Sequence, residues 1–308
     1  MNEDNLFVRV NLDNKKAEDI GLESYSYWKS VFHTFIKKPS AIISLSLLII
    51  MIIGIILIPL FAGPGDLSSN VNIKNELPSI DRFFGTDLIG RDLWYVCWKA
   101  TGNSLIYALR ATIINVFIGV IIGFIWGYNK KLDRFFIEIY NFISNIPSLL
   151  LFMLLSFVFV QSFPNLPSDI RLTICLCLTG WLPMSRLVRN QVIIIREREY
   201  NLASIALNTS AYRIITRNLL PHILAIIVTE LALLIPTMIS SEVSLSYFGL
   251  GLPDNAISLG AVLTLGIEKF GVYNYQLLFP ALMLGIIIFI FFLLGTSLSD
   301  ALNPKNHR

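Results

Sequence analysis

Three ionisable residues, Arg110, Glu230 and Glu242, fall inside long apolar runs. A charge at the middle of a bilayer costs on the order of 3 kcal/mol, so each needs a chemical account. A proton relay would place several such groups in register, and these three are too few for one. Arg110 lies near the outer end of its run and Glu242 near the outer end of another, so both are expected to reach water. Glu230 lies a turn or two inside the cytoplasmic end of the run it shares with Glu242. It reads either as a snorkelling side chain or as a polar contact facing a pathway. Catalysis would need titratable groups that converge, yet His33, His222 and His307 are scattered along the chain and define no metal site. Cys97, Cys175 and Cys177 read as small hydrophobes, without a disulfide or metal framework. The phosphate-cradling pattern G-x-x-x-x-G-K-[ST] is absent, so no ATP or other cofactor is expected in this chain. Energy for any work it does must come from a partner or a gradient.

The elements holding these groups follow from composition. Of 308 residues, 55% are hydrophobic and only 15% charged, and mean hydropathy is +0.66. A soluble domain would carry about 25% charge. The chain reads as an all-α membrane protein in one polytopic bundle, since a crossing needs about 20 apolar residues. Apolar runs at 41–62, 103–127, 142–162, 171–187, 223–247 and 276–296 predict six transmembrane helices. The net charge of +3 gives no basis for a nucleic-acid partner. Lys and Arg divide 17 against 6 between the alternating sides, which places both termini and the 186–218 loop in the cytoplasm of a multi-pass cell-membrane protein.

Around this frame, Tyr25, Tyr27, Trp28, Val31, Phe32, Phe35 and Ile36 recur at near-helical spacing among Lys29, Lys37 and Lys38. They predict a short helix in the inner headgroup layer, in contact with the lipid bilayer. Gly119, Gly123 and Gly127, four apart, predict a face for close helix packing, within the subunit or across an interface. Pro147 and Pro236 predict hinges or kinks. The outer segment 63–101 is long enough to be either functional or disordered.

The segment from Arg186 to Pro221 is too long and too apolar for a simple turn. Tyr200, Leu202, Ala203, Ile205, Ala206 and Leu207 alternate with polar residues at helical period, giving a short amphipathic helix. Thr209 and Ser210 are suited to cap the next turn. An arginine-flanked helix exposing apolar groups to the cytosol suits docking of a soluble protein. Lying on lipid is the other reading.

These residues resemble a known family. REREYNLASIALNTS followed by RIITRNLLP is similar to the cytoplasmic loop of the permeases of binding-protein-dependent ABC importers, especially the second permease of the oligopeptide, dipeptide and nickel group. Arg196, Glu197, Arg198, Glu199 and Tyr200 match the run into the family's coupling helix. Ala203 and Ala206 match its small positions, and Leu220 with Pro221 its closing pair. Leu202 stands where the family usually has glutamate, Asn208 where it has glycine, and Gly102 where it often has arginine. Phe84-Gly85-Thr86-Asp87 with Gly90-Arg91-Asp92, Ile146 to Leu150, Glu242 to Leu252 and Leu298 to Pro304 resemble further family elements in order.

The resemblance implies a type I ABC importer permease fold and import of oligopeptides or dipeptides. Residues 1–24 would be a cytoplasmic tail, and 25–100 the interfacial helix, first span and outer loop. Residues 101–300 would form the importer domain with its coupling loop at 188–221, and 301–308 a cytoplasmic end. Glu199, Tyr200, Asn201, Leu202, Ala203, Ser204, Ile205, Ala206, Leu207 and Asn208 would couple to ATPase subunits. The implied partners are a second homologous permease, two ATP-binding subunits that hold ATP and Mg, and an extracellular or periplasmic peptide-binding protein. A nickel or metal-chelate importer is the alternative within the family. A gradient-driven carrier or channel is the alternative outside it, and an intramembrane enzyme is disfavoured for want of a paired nucleophile and base.

Overall fold

The computed structural model describes residues 27–63, 65–253 and 256–302. The expected tail 1–24, Tyr25, and 303–308 with His307 lie outside the described residues. Helix α1 (Tyr27–Ile36) precedes α2 (Pro39–Leu57), which opens on proline and runs into a 3-10 turn, Ile58–Phe61. A proline costs nothing at a helix start, where its missing N–H would have no partner. Val31 of α1 is buried against Ala225, Ala301 and Leu302, and Lys38 pairs with Asp300 at 2.9 Å. The N-terminal helix is thus held to the last one, α11 (Tyr275–Leu302).

Helix α3 (Leu93–Tyr128) is 36 residues long, or about 54 Å. The sequence pattern predicts its start near 103. It begins ten residues earlier because Asp92 caps it, its Oδ1 accepting from the Trp94 N–H at 2.9 Å. Residues 128–141, expected as a loop, form most of α4 (Lys130–Ser144), and α5 (Ser148–Ser162) follows after a bend of 86°. The bend falls at Asn145-Ile146-Pro147, where the proline forces the preceding residue out of helical geometry. The expected fourth span, 171–187, is two helices, α6 (Ser168–Gly180) and α7 (Leu182–Arg196), parted at Trp181. Pro183 sits in the first turn of α7, and the helix carries the chain ten residues past Arg186.

After the short α8 (Glu199–Ala206), one α-helical turn and a π-helical segment, Ile214–Leu219, lead into α9 (Leu220–Tyr247). Then α10 (Leu259–Glu268) and α11 complete the described chain. Among the described residues four continuous stretches, Pro39–Phe61, Leu93–Tyr128, Ala211–Tyr247 and Tyr275–Leu302, are long and apolar enough to cross a membrane, and the bent pair α4–α5 is a fifth where its two helices form one broken span rather than a re-entrant loop. Their outward faces are apolar, as Ile49, Ile50, Ile53 and Ile56 of α2 illustrate.

Two apolar clusters hold the bundle. One joins Leu93, Val96 and Cys97 of α3 to Ile239 and Leu245 of α9, Leu259 of α10, and Ile287 and Ile290 of α11. The other joins Val116 and Phe124 of α3 to Met184, Val188 and Val192 of α7 and to Ile214, Leu219 and Ile223. The described residues of the 63–101 segment form an ordered, hydrogen-bonded turn. Asp87 accepts from the Arg91 N–H at 2.8 Å and the Arg91 Nε at 2.6 Å, while Gln276 of α11 donates to the Thr86 carbonyl at 2.9 Å. Gly90 closes this turn at φ +84°, and a side chain there would collide with the Asn70 carbonyl.

Candidate functional site

Helix α8 is eight residues long, too short to hold itself in water. Its position comes from one residue. Asn201 is fully buried and donates to the Ile195 carbonyl at the end of α7 at 2.7 Å. Its own side-chain oxygen accepts from Asn218, in the π-helical segment, at 2.8 Å. Arg196, also buried, donates to the carbonyls of Gly127 and Tyr128 at 3.1 and 2.7 Å, tying the end of α7 to the end of α3. These carbonyls belong to a helix terminus, where they lack partners and draw positive charge.

Held this way, α8 presents its other residues outward. Tyr200, Leu202, Ala203, Ile205, Ala206, Leu207 and Asn208 are all exposed, and so is Glu199. Only Ser204 is half-buried, donating to the Tyr200 carbonyl. Leu207 is 82% and Tyr212 79% exposed. Large apolar groups gathered on one surface element mark an interaction site. The helix ends on Asn208 at φ +58°, with the Thr209 N–H bonded to the Ser204 carbonyl at 3.0 Å and the Asn208 N–H to the Ile205 carbonyl at 2.9 Å. This left-handed cap ordinarily takes glycine, and asparagine is the side-chain-bearing residue that tolerates it best. Ser210, expected as a cap, makes no side-chain cap bond.

A second anchor lies one helix back. Asp133 of α4 accepts two bonds from Arg189 of α7, at 2.8 and 2.7 Å, and one from the Trp126 indole at 2.8 Å.

The glycines Gly119, Gly123 and Gly127 lie against α7. A Cβ at these positions would come within 2.7 Å of Met184 Cβ, 2.6 Å of Val188 Cβ and 2.8 Å of Val192 Cβ respectively. Backbone contact this close is what small residues four apart permit.

Glu242 is not within reach of water, as its place near a span end suggests, but 1% exposed. Its carboxylate accepts from Ser104 of α3 at 2.9 Å, Ser246 at 3.1 Å and Ser258, the N-cap of α10, at 2.9 Å. Ser104 and Ser258 in turn accept from the backbone N–H groups of Leu259 and Ala261. Glu242 thus joins α3, α9 and α10 rather than lining a path. Arg110, partly exposed, pairs with Asp169 of α6 at 3.2 Å.

Glu230 has a different setting. It lines an open cleft of about 480 Å³ formed by α4, α5, α6, α7 and α9. On α9 the lining continues with Leu234, Thr237 and Ser241, one stripe of the helix. Ser144 and Ser148 enter from either side of the α4–α5 bend, and Thr179 from α6. Glu230 forms no hydrogen bond or ion pair among the described residues. The groups singled out in the sequence therefore do not converge: α8, the Glu242 cluster and the Glu230 cavity are three separate places.

A family profile described as binding-protein-dependent transport system inner membrane component matches residues 116–308, more than half of the chain. The chain belongs to this family. A second profile, for the N-terminal transmembrane domain of oligopeptide transport permease C, matches residues 26–78 of the permease. It is 35% identical to the oligopeptide transport system permease protein AmiD of Streptococcus pneumoniae, over 98% of this chain and 97% of that one. It is 32% identical to the oligopeptide permease OppC and 32% to the dipeptide permease DppC, both of Bacillus subtilis. Those matches span 98% and 99% of this chain and 97% and 94% of the relatives. Among solved structures, an inward-facing MetNI methionine ABC transporter chain matches with a TM-score of 0.53 at 18% identity, over 68% of this chain and 97% of that one. The permease is a multi-pass inner-membrane component with the type I ABC importer fold.

Three of the permease's arrangements carry little signal in the sequence pattern. Asn201 reads as one polar residue of an amphipathic helix, with nothing to mark it as the buried one. The serines around Glu242 lie up to 138 positions from it. Asp133 and Arg189 are separated by 56 positions, and the one available hint is an acid and a base on consecutive segments expected on the same side of the membrane.

Proposed function

We propose that this chain is one of two homologous permease subunits in an ATP-driven importer that carries oligopeptides or dipeptides into the cell. Helix α8 is its coupling helix, and Glu199 to Asn208 enter a groove on one of two ATP-binding subunits. ATP and Mg reside in those subunits. A binding protein outside the membrane delivers the peptide. The chain crosses six times, α6 and α7 together supplying the crossing that neither makes alone, with both termini cytoplasmic.

The observation that carries this reading is the contrast within α8. Its apolar groups are exposed, while buried Asn201 fixes the helix to both neighbouring elements. A lipid-lying helix needs no such double anchor, whereas a helix that must transmit force does. Closure of the ATP-binding subunits would push α8, and the rigid joints at Asn201 and Arg196 would pass that displacement to the bundle. Peptide, rather than nickel, is supported by the relatives, which are named as oligopeptide and dipeptide permeases.

Replacing the exposed Ala203 by arginine tests the docking. Ala203→Arg is expected to insert normally, to lose peptide uptake, and to lose or uncouple ATP hydrolysis in the reconstituted complex. Normal uptake of labelled peptide would overturn the assignment of α8. Mild-detergent purification without any ATP-binding subunits would favour a gradient-driven carrier, and labelled nickel uptake in place of peptide would redirect the substrate.

A further inference from the structure

Glu230 is the sole charged side chain lining its cleft, and it forms no ion pair among the described residues. Glu242, the buried carboxylate of α9, shows how this fold treats a structural acid: three serines satisfy it. Asp133 and Asp87 are likewise paired with arginines. Glu230 departs from that pattern within the same helix, three turns away. It projects with Thr237 and Ser241 along one stripe of α9 into a space of about 480 Å³. Hydroxyls of Ser144, Ser148 and Thr179 and the phenol of Tyr140 line the same space. A half-buried carboxylate kept without a protein partner costs some stability, and a cation that enters and leaves recovers that cost only while bound.

We infer that Glu230 is the transient counter-charge for an ammonium group of the cargo as it passes through the permease, with the surrounding hydroxyls accepting or donating along a polar backbone. The inference rests on the importer reading and deepens it by naming the cargo's chemistry at this point. The volume accommodates a few residues of an extended chain rather than a bare ion. The hydroxyl lining has no preference for any one side chain, which suits a pathway for varied sequences. The ammonium has two sources, the amino terminus and a lysine side chain.

The test uses the complete transporter with its binding protein in liposomes, comparing initial uptake of four labelled peptides. These have a free or acetylated amino terminus, each with or without one lysine. For each peptide the Glu230→Gln rate is divided by the wild-type rate, which cancels the binding protein's own preference. Loss of one charge-assisted contact is expected to cost about tenfold for peptides bearing an ammonium, with the acetylated lysine-free peptide unaffected. Loss confined to free-amine peptides assigns the amino terminus, and loss confined to lysine peptides assigns the side chain. Glu230→Asp is expected to restore most of the discrimination. An equal loss for all four peptides, or no loss for any, overturns the inference and leaves the importer reading standing. If wild-type liposomes import none of the four, the importer reading fails, and this inference with it.

Discussion

Replacing Asn201 by alanine should disconnect α8, the proposed coupling helix, while leaving the bundle intact. The side chain makes two buried hydrogen bonds, one to the Ile195 carbonyl at 2.7 Å and one from Asn218 at 2.8 Å. Each is worth about 1 kcal/mol net, and the Asn218 amide is left without its acceptor while the Ile195 carbonyl keeps the Arg198 N–H at 3.2 Å, so the local loss is about 2–3 kcal/mol. Because α8 is eight residues long and otherwise exposed, this loss falls on its local opening rather than on global unfolding. Since about 1.4 kcal/mol is a factor of ten, amide exchange over 199–208 should accelerate about 30- to 100-fold, with exchange in α3 and α9 unchanged. In the reconstituted complex ATP hydrolysis should continue while uptake falls, because a loose helix absorbs the stroke. Asn201→Asp should behave like the alanine variant, since a carboxylate still accepts from Asn218 but cannot donate to Ile195. Unchanged exchange over 199–208 in Asn201→Ala, together with full coupling, would refute the claim that this residue is the joint.

Two further outcomes follow from the α3–α7 seam. A methyl at Gly123 would lie 2.6 Å from Val188 Cβ and 2.7 Å from the Ser185 carbonyl, so Gly123→Ala should destabilise by about 1–3 kcal/mol; an unchanged melting temperature in detergent would contradict the packing. Asp133 of α4 accepts two bonds from Arg189 of α7, so Asp133→Asn, which removes the charge from those bonds, should melt lower than the parent at pH 7; an unchanged melting temperature would contradict the pairing.

Apolar runs located most of the helices because lipid-facing composition is a one-dimensional property of the chain. The failures are physical and local. The early start of α3 was hidden by Lys99 and the polar residues near it, although Asp92 stands at the cap. The extension of α7 past Arg186 was hidden by its arginines, which read as the edge of a cytoplasmic loop. Two of those arginines are consumed inside the fold, Arg189 by Asp133 and Arg196 by the free carbonyls of α3. Helix α8 itself is legible, since the amphipathic period predicts a short helix there, but the residue that fixes it is not. Whether a polar residue on a short helix faces solvent or a neighbouring helix end depends on contacts across the loop. The isolation of Glu230 and the satisfaction of Glu242 were equally invisible, because both are one acid in one apolar run.

The two helices that leave α8 also reach the Glu230 cavity. Backwards along the chain, α7 contributes Leu182 and Pro183 to the cavity wall; forwards, the π-helical segment continues into α9, which contributes Glu230 itself. Displacing α8 therefore moves two walls of one space, provided both joints are stiff. The α7 joint is stiffened by Arg196 on α3 and by the glycine seam, where no side chain can yield because none is present. The α9 joint is stiffened by the Asn201–Asn218 bond, which spans the π-helical turns that would otherwise bend first. In the proposed importer this arrangement links the motor's stroke to the place where the cargo's charge is held, so closing the ATP-binding subunits and releasing the cation from Glu230 become one motion. A permease with either joint loosened should keep its affinity for cargo at Glu230 and lose only the dependence of that affinity on ATP.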